Sequence, residues 1–148
     1  MDTNRFQDQK KRLSDFREEV WVCCPKCALK AIAKVDYESH RARLVCLSCS
    51  YNRESSGEIS FLGTTGKWIL PAHAYFDGTL WLQYPFKNEV FWAYNLAHLE
   101  YLERYIAAGL REHKDRSHFT LLEKLPRFYH EAKNRASLLR IIAQLKRK

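Results

Sequence analysis

Cys24-Pro25-Lys26-Cys27 and Cys46-Leu47-Ser48-Cys49 are the residues best placed to do chemistry. Two Cys-x-x-Cys pairs with eighteen residues between them fall inside the C-x2-C-x15–20-C-x2-C pattern of a four-thiolate zinc site. Zinc is held tetrahedrally, and four sulfurs leave no position open for water. Cys24, Cys27, Cys46 and Cys49 are therefore expected to hold one structural Zn²⁺ and not a catalytic one. The competing readings are two disulfides or an accidental pattern. Cys23 adds an ambiguity, because Cys23 and Cys27 form a C-x3-C. The two-residue knuckle that mirrors the second pair favours Cys24, which leaves Cys23 as a part-buried strand thiol.

With these knuckles in place, residues 20–54 resemble a zinc ribbon of the kind found in transcription factor IIB and in RNA-polymerase-associated proteins. The likeness covers about a quarter of the chain and rests on ligand spacing. Many ribbons carry Gly after each second cysteine, where the turn favours positive φ, whereas Ala28 and Ser50 stand there in this chain. The whole chain also resembles small bacterial proteins with such a ribbon ahead of an aromatic hairpin and a helical tail. This resemblance implies more about fold than about role.

Other chemistry is hard to assemble. No two of the six histidines have HExxH spacing. His98-Leu99-Glu100 has the H-x-E form of zinc deaminases but lacks the P-C-x-x-C that should follow. Gly63-Thr64-Thr65-Gly66 has no Gly-Lys-Ser/Thr and is expected to be a turn. The chain reads as a non-enzyme with no small-molecule substrate.

The elements that would position the cysteines follow from pattern. Val20-Trp21-Val22 leads into the first knuckle as a strand. Residues 29–37 leave it, Glu38-Ser39-His40 turns, residues 41–45 return, and 51–61 supply a further strand. Lys26, Lys30, Arg41, Arg43 and Arg53 lie near a site with roughly two negative charges, and they are expected to offset it. A hairpin is expected from Thr79–Tyr84 and Val90–Tyr94, turning at Lys87-Asn88. Its aromatic residues are read as core in preference to a base-stacking platform. Asn95 is a candidate N-cap for a helix from Leu96 to about Glu112. Leu96, Leu99, Leu102, Ile106 and Leu110 share one face. Tyr94, His98, Tyr101 and Tyr105 form a second stripe beside it. With Trp92, this stripe is a candidate partner surface, weighed against plain core. A thin stripe of Phe6, Leu13 and Phe16 suggests a helix over residues 5–17. A charged loop is expected over 113–117, a helix over 119–124, a helix of about 127–134 begun by Pro126, and a last helix near 137–146.

The expected fold class is α+β: an arm or short helix at 1–19, a zinc ribbon at 20–62, an aromatic hairpin region at 63–94 and a basic helical region at 95–148. Residues 20–148 are expected to form one unit. The 148 residues include 46% hydrophobic and 14% aromatic types, enough for a core. No apolar run of spanning length and no signal-like h-region is present. With the zinc-like thiols, this points to a reducing cytoplasm and no membrane. Net charge is +8, and all of the excess lies in residues 104–148, which hold 12 Lys+Arg and 4 Asp+Glu. Nucleic acid, DNA or RNA, is the first candidate partner, met through Arg127, Lys133, Arg135, Arg140, Arg147 and Lys148. The competing reading is a protein-interaction adaptor, such as a complex subunit or an antidote, that uses the ribbon and the Tyr/His face.

Overall fold

Alternation of buried with less buried residues sets the first three strands. The structure is a computed structural model and describes residues 13–108 and 125–148. The expectations for residues 5–12, for the end of the first helix including Leu110, and for the loop and helix of 113–124 lie outside those residues. Leu13–Asp15 form a 3-10 turn. Four strands follow, β1 (Glu19–Cys23), β2 (Lys30–Asp36), β3 (Arg41–Cys46) and β4 (Asn52–Ser55). They form one antiparallel sheet in chain order, with Trp21, Ile32, Val45 and Asn52 in register across it.

One face of this sheet carries Val20, Val22, Ala31, Ala33, Val35, Ala42, Leu44 and Cys46, all buried. Three alanines on that face leave room for a close neighbour. A 3-10 turn, Ala72–Phe76, fills it, with Ala72, Phe76 and Tyr94 joining the same core.

Strands β5 (Glu58–Phe61) and β6 (Thr64–Lys67) make a separate two-stranded ribbon. Its loop is Leu62-Gly63, with φ of 51° and 79°. Positive φ at both loop positions matches the right-handed twist of the flanking strands. The turn expected at Gly63–Gly66 is therefore shifted. Only Gly63 is in the turn, and Thr64, Thr65 and Gly66 pair with Phe61, Ser60 and Ile59. The β-branched threonines fit a strand better than a loop.

The aromatic hairpin is β7 (Leu82–Phe86) and β8 (Glu89–Ala93), turning at Lys87-Asn88. Its first strand begins later than the pattern implies, because Thr79-Leu80-Trp81 lies along β1 instead. The Cys23 amide donates to the Thr79 carbonyl at 2.9 Å and the Trp81 amide to the Trp21 carbonyl at 2.9 Å. The Trp21 amide in turn donates to the Tyr94 carbonyl at 2.7 Å. Both ends of the hairpin are thus stitched to the edge of the first sheet.

Helix α1 is Leu96–Ala108. Asn95 caps it, its Oδ1 accepting from the His98 amide at 2.9 Å. The same side chain donates from Nδ2 to the carbonyls of Phe16 and Glu19, at 3.1 and 2.6 Å. One buried amide therefore ties the helix start to the chain entering β1. Asn95→Ala should cost about 2 kcal/mol, a cap plus buried carbonyls left unpaired. A urea midpoint within error of the parent would refute this.

The helix expected at 127–134 is two 3-10 turns, Arg127–His130 and Ala132–Asn134, broken where Glu131 is extended (φ −86°, ψ 124°). Helix α2 follows as Arg135–Arg147 and buries Leu138, Ile141, Ile142 and Leu145. A second core gathers Leu82, Phe86, Phe91 and Ala93 of the hairpin with Leu99, Leu102 and Ile106 of α1, Phe128 and Tyr129, and the buried face of α2. Phe86 stacks on Phe128 and Phe91 on Tyr129, with ring centroids 5.3 and 5.4 Å apart. The architecture is α+β. No helix among the described residues is long and apolar enough to cross a membrane.

Candidate metal centre and basic surface

Each Cys-x-x-Cys is a tight turn closed by its own backbone. In the first, the Ala28 amide donates to the Cys24 carbonyl (2.9 Å) and the Cys24 amide to the Leu29 carbonyl (2.7 Å). In the second, Ser50 donates to Cys46 (3.0 Å) and Cys46 to Tyr51 (2.8 Å). The turns are near copies of each other, and both need a left-handed residue after the second cysteine. Ala28 and Ser50 supply it with φ of 67° and 66°. A non-glycine residue costs about 1–2 kcal/mol in that region, so both knuckles are held in a conformation their sequences do not favour.

Strands β1 to β3 bring the turns face to face. The four sulfurs, Cys24, Cys27, Cys46 and Cys49, lie within 4.8 Å of one another. Cys24 Sγ is 3.7 Å from Cys49 Sγ, and Cys27 Sγ is 3.5 Å from Cys46 Sγ. All five cysteines are free thiols. A disulfide would need sulfurs about 2.05 Å apart. The cluster is placed to bind one metal ion. Cys23 points elsewhere, its sulfur 3.9 Å from the Leu80 carbonyl.

The backbone prepares this cluster for charge. Burial pushes the Cys24 thiol up, but the amides of Cys27 and Lys26 (3.5 and 3.3 Å from its sulfur) and the sulfur of Cys49 bring it below its ordinary value. The Cys49 amide, working against burial and helped by Ser48, pulls Cys46 down to about 6. An amide bond from Leu29 lowers Cys27, but burial and the neighbouring sulfurs outweigh it and push the thiol up to about 12. These bonds thus favour the thiolate at Cys46 and shift Cys24 in the same direction, while Cys27 holds its proton more tightly. A bound cation removes that conflict by favouring all four anions.

Arg53 lies 6.0 Å from the Phe76 ring centroid, and three more of the five basic residues named near the cluster are engaged within the fold. Arg41 meets Glu54 (3.9 Å), Arg43 Nε donates to Asn52 Oδ1 (3.3 Å), and Lys30 sits over the Trp21 ring (4.0 Å).

Of the basic residues expected to meet nucleic acid, Arg127, Lys133, Arg140, Arg147 and Lys148 are exposed and Arg135 is half-buried. Arg140 and Arg147, two turns apart, face away from the buried side of α2. Lys133 contacts Glu131 at 3.4 Å. Lys148 Nζ reaches across to Trp81, donating to its carbonyl at 2.8 Å and lying 4.1 Å from the ring centroid.

The Tyr/His stripe is not a surface. Tyr94, His98, Tyr101 and Tyr105 are buried, His98 and Tyr101 to 1% exposure, and Trp92 is half-buried. The wide apolar arc of α1 is covered on two sides. Phe16 stacks on His98 at 4.9 Å and meets Tyr101 at 5.8 Å. On the other side Tyr105 Oη is 2.6 Å from His130 Nδ1. Helical spacing shows which residues share a face; it does not show how many neighbours the helix has. Sequence reasoning also passed over Trp21 and Trp81, whose pairing depends on a contact sixty residues apart in the chain.

Fold and site together define an α+β protein with a tetracysteine cluster placed to hold one metal ion. Comparison of the chain with family models, with curated proteins and with solved structures finds no match.

Proposed function

We propose that the chain is a zinc-stapled, nucleic-acid-associated protein of zinc-ribbon type, acting in DNA- or transcription-related work in a reducing cytoplasm. Zinc suits the centre because Zn–S bonds of about 2.3 Å place tetrahedral sulfurs about 3.8 Å apart, close to the separations of 3.5 and 3.7 Å. When bound, the ion supplies cross-linking and charge balance and no catalysis.

The observation that carries the nucleic-acid reading is the basic surface. Residues 125–148 hold seven Lys+Arg against one acidic residue, Glu131. Such a field attracts polyphosphate without reading sequence. If about six cations meet duplex phosphates, the logarithm of affinity should fall against the logarithm of salt with a slope near −5. Arg140→Gln with Arg147→Gln should flatten that slope by about two. Fluorescence anisotropy of labelled DNA and RNA across a salt series measures both, and no binding of either at low salt sinks the reading.

The adaptor reading loses its Tyr/His face to the core. It keeps one observation, the exposed Leu29 and Leu47 beside the knuckles, Leu47 at 79%. A stoichiometric protein that co-purifies after nuclease treatment and is lost on Leu47→Ser would favour it.

A further inference from the structure

Trp21 and Trp81 are neighbours on the seam between the first sheet and the hairpin. The antiparallel bridge of Val22 with Leu80 sets Trp21 opposite Trp81, and the Trp81 amide bonds to the Trp21 carbonyl. Directly opposed residues project to the same face. Both indoles are half-buried, with one part of each packed against the second core. Neither is capped by apolar side chains alone. An ammonium lies over each ring, Lys30 at 4.0 Å from the Trp21 centroid and Lys148 at 4.1 Å from that of Trp81. A strongly hydrated cation occupies a ring face only where water also reaches it.

Among the described residues, neither Lys30 nor Lys148 pairs with a carboxylate. The nearby acid, Glu19, accepts from Trp21 Nε1 at 3.4 Å and is balanced by Lys34 at 3.5 Å. The patch is therefore two flat aromatic faces beneath two cations with no carboxylate partner among the described residues, Lys148 also donating to the Trp81 carbonyl at 2.8 Å. Lys148 continues the exposed basic side of α2 through Arg147.

We infer that Trp21 and Trp81, with Lys30 and Lys148, form a stacking site for unpaired nucleobases, so that the preferred ligand is single-stranded nucleic acid. This rests on the nucleic-acid reading above. Each base would replace an ammonium over an indole, and the displaced lysine would take the adjoining phosphate. Duplexes hide their base faces and carry the denser phosphate charge, so a phosphate-only surface would favour the duplex, whereas this patch favours the single strand.

The test is anisotropy with a labelled twelve-nucleotide oligo(dT) and a duplex of equal length, at low salt. The single strand should bind more tightly, and Trp81→Ala should weaken it about fivefold or more while changing duplex binding less than twofold. Lys30→Gln with Lys148→Gln, which leaves the core untouched, should weaken single-strand binding and decides the matter if Trp81→Ala fails to fold. Equal binding of both forms, unchanged by these substitutions, overturns the stacking site but leaves the phosphate reading intact. Binding of neither form overturns both, and capture of an acidic peptide by the same lysines in place of oligo(dT) overturns the stacking site.

Discussion

Removing the metal with a strong chelator should abolish the cooperative thermal transition of this protein. Structural zinc in small tetrahedral sites contributes apparent free energies of about 10–16 kcal/mol, against a typical domain stability of about 5–15 kcal/mol. The position of the site argues for the upper part of this scale. The knuckles are the links from β1 to β2 and from β3 to β4, so one ion would join two of the sheet's three turns at a single end and clamp all four strands. Cys24 and Cys46 are buried in the same core as Val20, Val22, Leu44 and Phe76. Without the ion, Cys46, favoured as a thiolate, stays 3.5 Å from Cys27, and Cys24 stays 3.7 Å from Cys49, with nothing to balance the charge. Ala28 and Ser50 would also relax from their left-handed conformations. The loss should spread, because β1 holds the hairpin through the Tyr94 carbonyl. Cys46→Ser should behave like chelation, and Cys23→Ser should keep its metal, since that thiol faces the Leu80 carbonyl. Circular dichroism melts with parallel elemental analysis decide the point. An apo form that melts within about 5 °C of the metal-loaded one refutes a structural role.

The knuckles were legible because their logic is local. Two residues between cysteines force a tight turn, and the eighteen-residue interval leaves room for the two strands that return it. Even the unusual residues were readable: Ala28 and Ser50 stand where a left-handed residue is needed, and both adopt it. Asn95 as a cap was equally local. What could not be read was non-local. Nothing near Thr79 in the chain shows that it leaves the hairpin to lie on β1. Nothing in the spacing of Tyr94, His98, Tyr101 and Tyr105 shows that Phe16 and His130 will cover them. Glu131 breaks a segment whose residues are otherwise acceptable in a helix, and the reason lies in packing: Asn134 is buried, its Nδ2 donates to the Phe128 carbonyl, and its Oδ1 accepts from Lys87 Nζ. The basic residues were legible as a charge excess, but not their reach, since Lys148 over Trp81 joins positions 67 residues apart.

Acid should weaken the fold through His98, by roughly 3 kcal/mol between pH 6.5 and 4. Its ring lies among Phe16, Trp92 and Tyr94, at 4.9, 5.6 and 5.5 Å between centroids. Nδ1 accepts the Tyr94 amide at 3.0 Å, so the neutral ring carries its proton on Nε2, which has no hydrogen-bond partner among the described residues. Burial lowers the folded pKa from 6.5 to about 4. Protonation would also turn Nδ1 from acceptor to donor and set it against the amide it now accepts. Between these values the unfolded chain binds a proton that the folded one refuses, so stability falls as pH falls through 6.5 and stops falling below about 4. His73, lowered by burial as well, adds to the same trend. Metal release in acid has the same sign and must be separated from it. His98→Gln keeps the metal centre and removes the titrating group. The parent and this variant should therefore differ in slope between pH 6.5 and 4, with the shared remainder owed to His73 and the thiolates. Urea midpoints at equal metal loading give both slopes. Parallel slopes would mean that the ring is protonated inside the fold without cost, which its apolar surroundings and its bond to the Tyr94 amide both oppose.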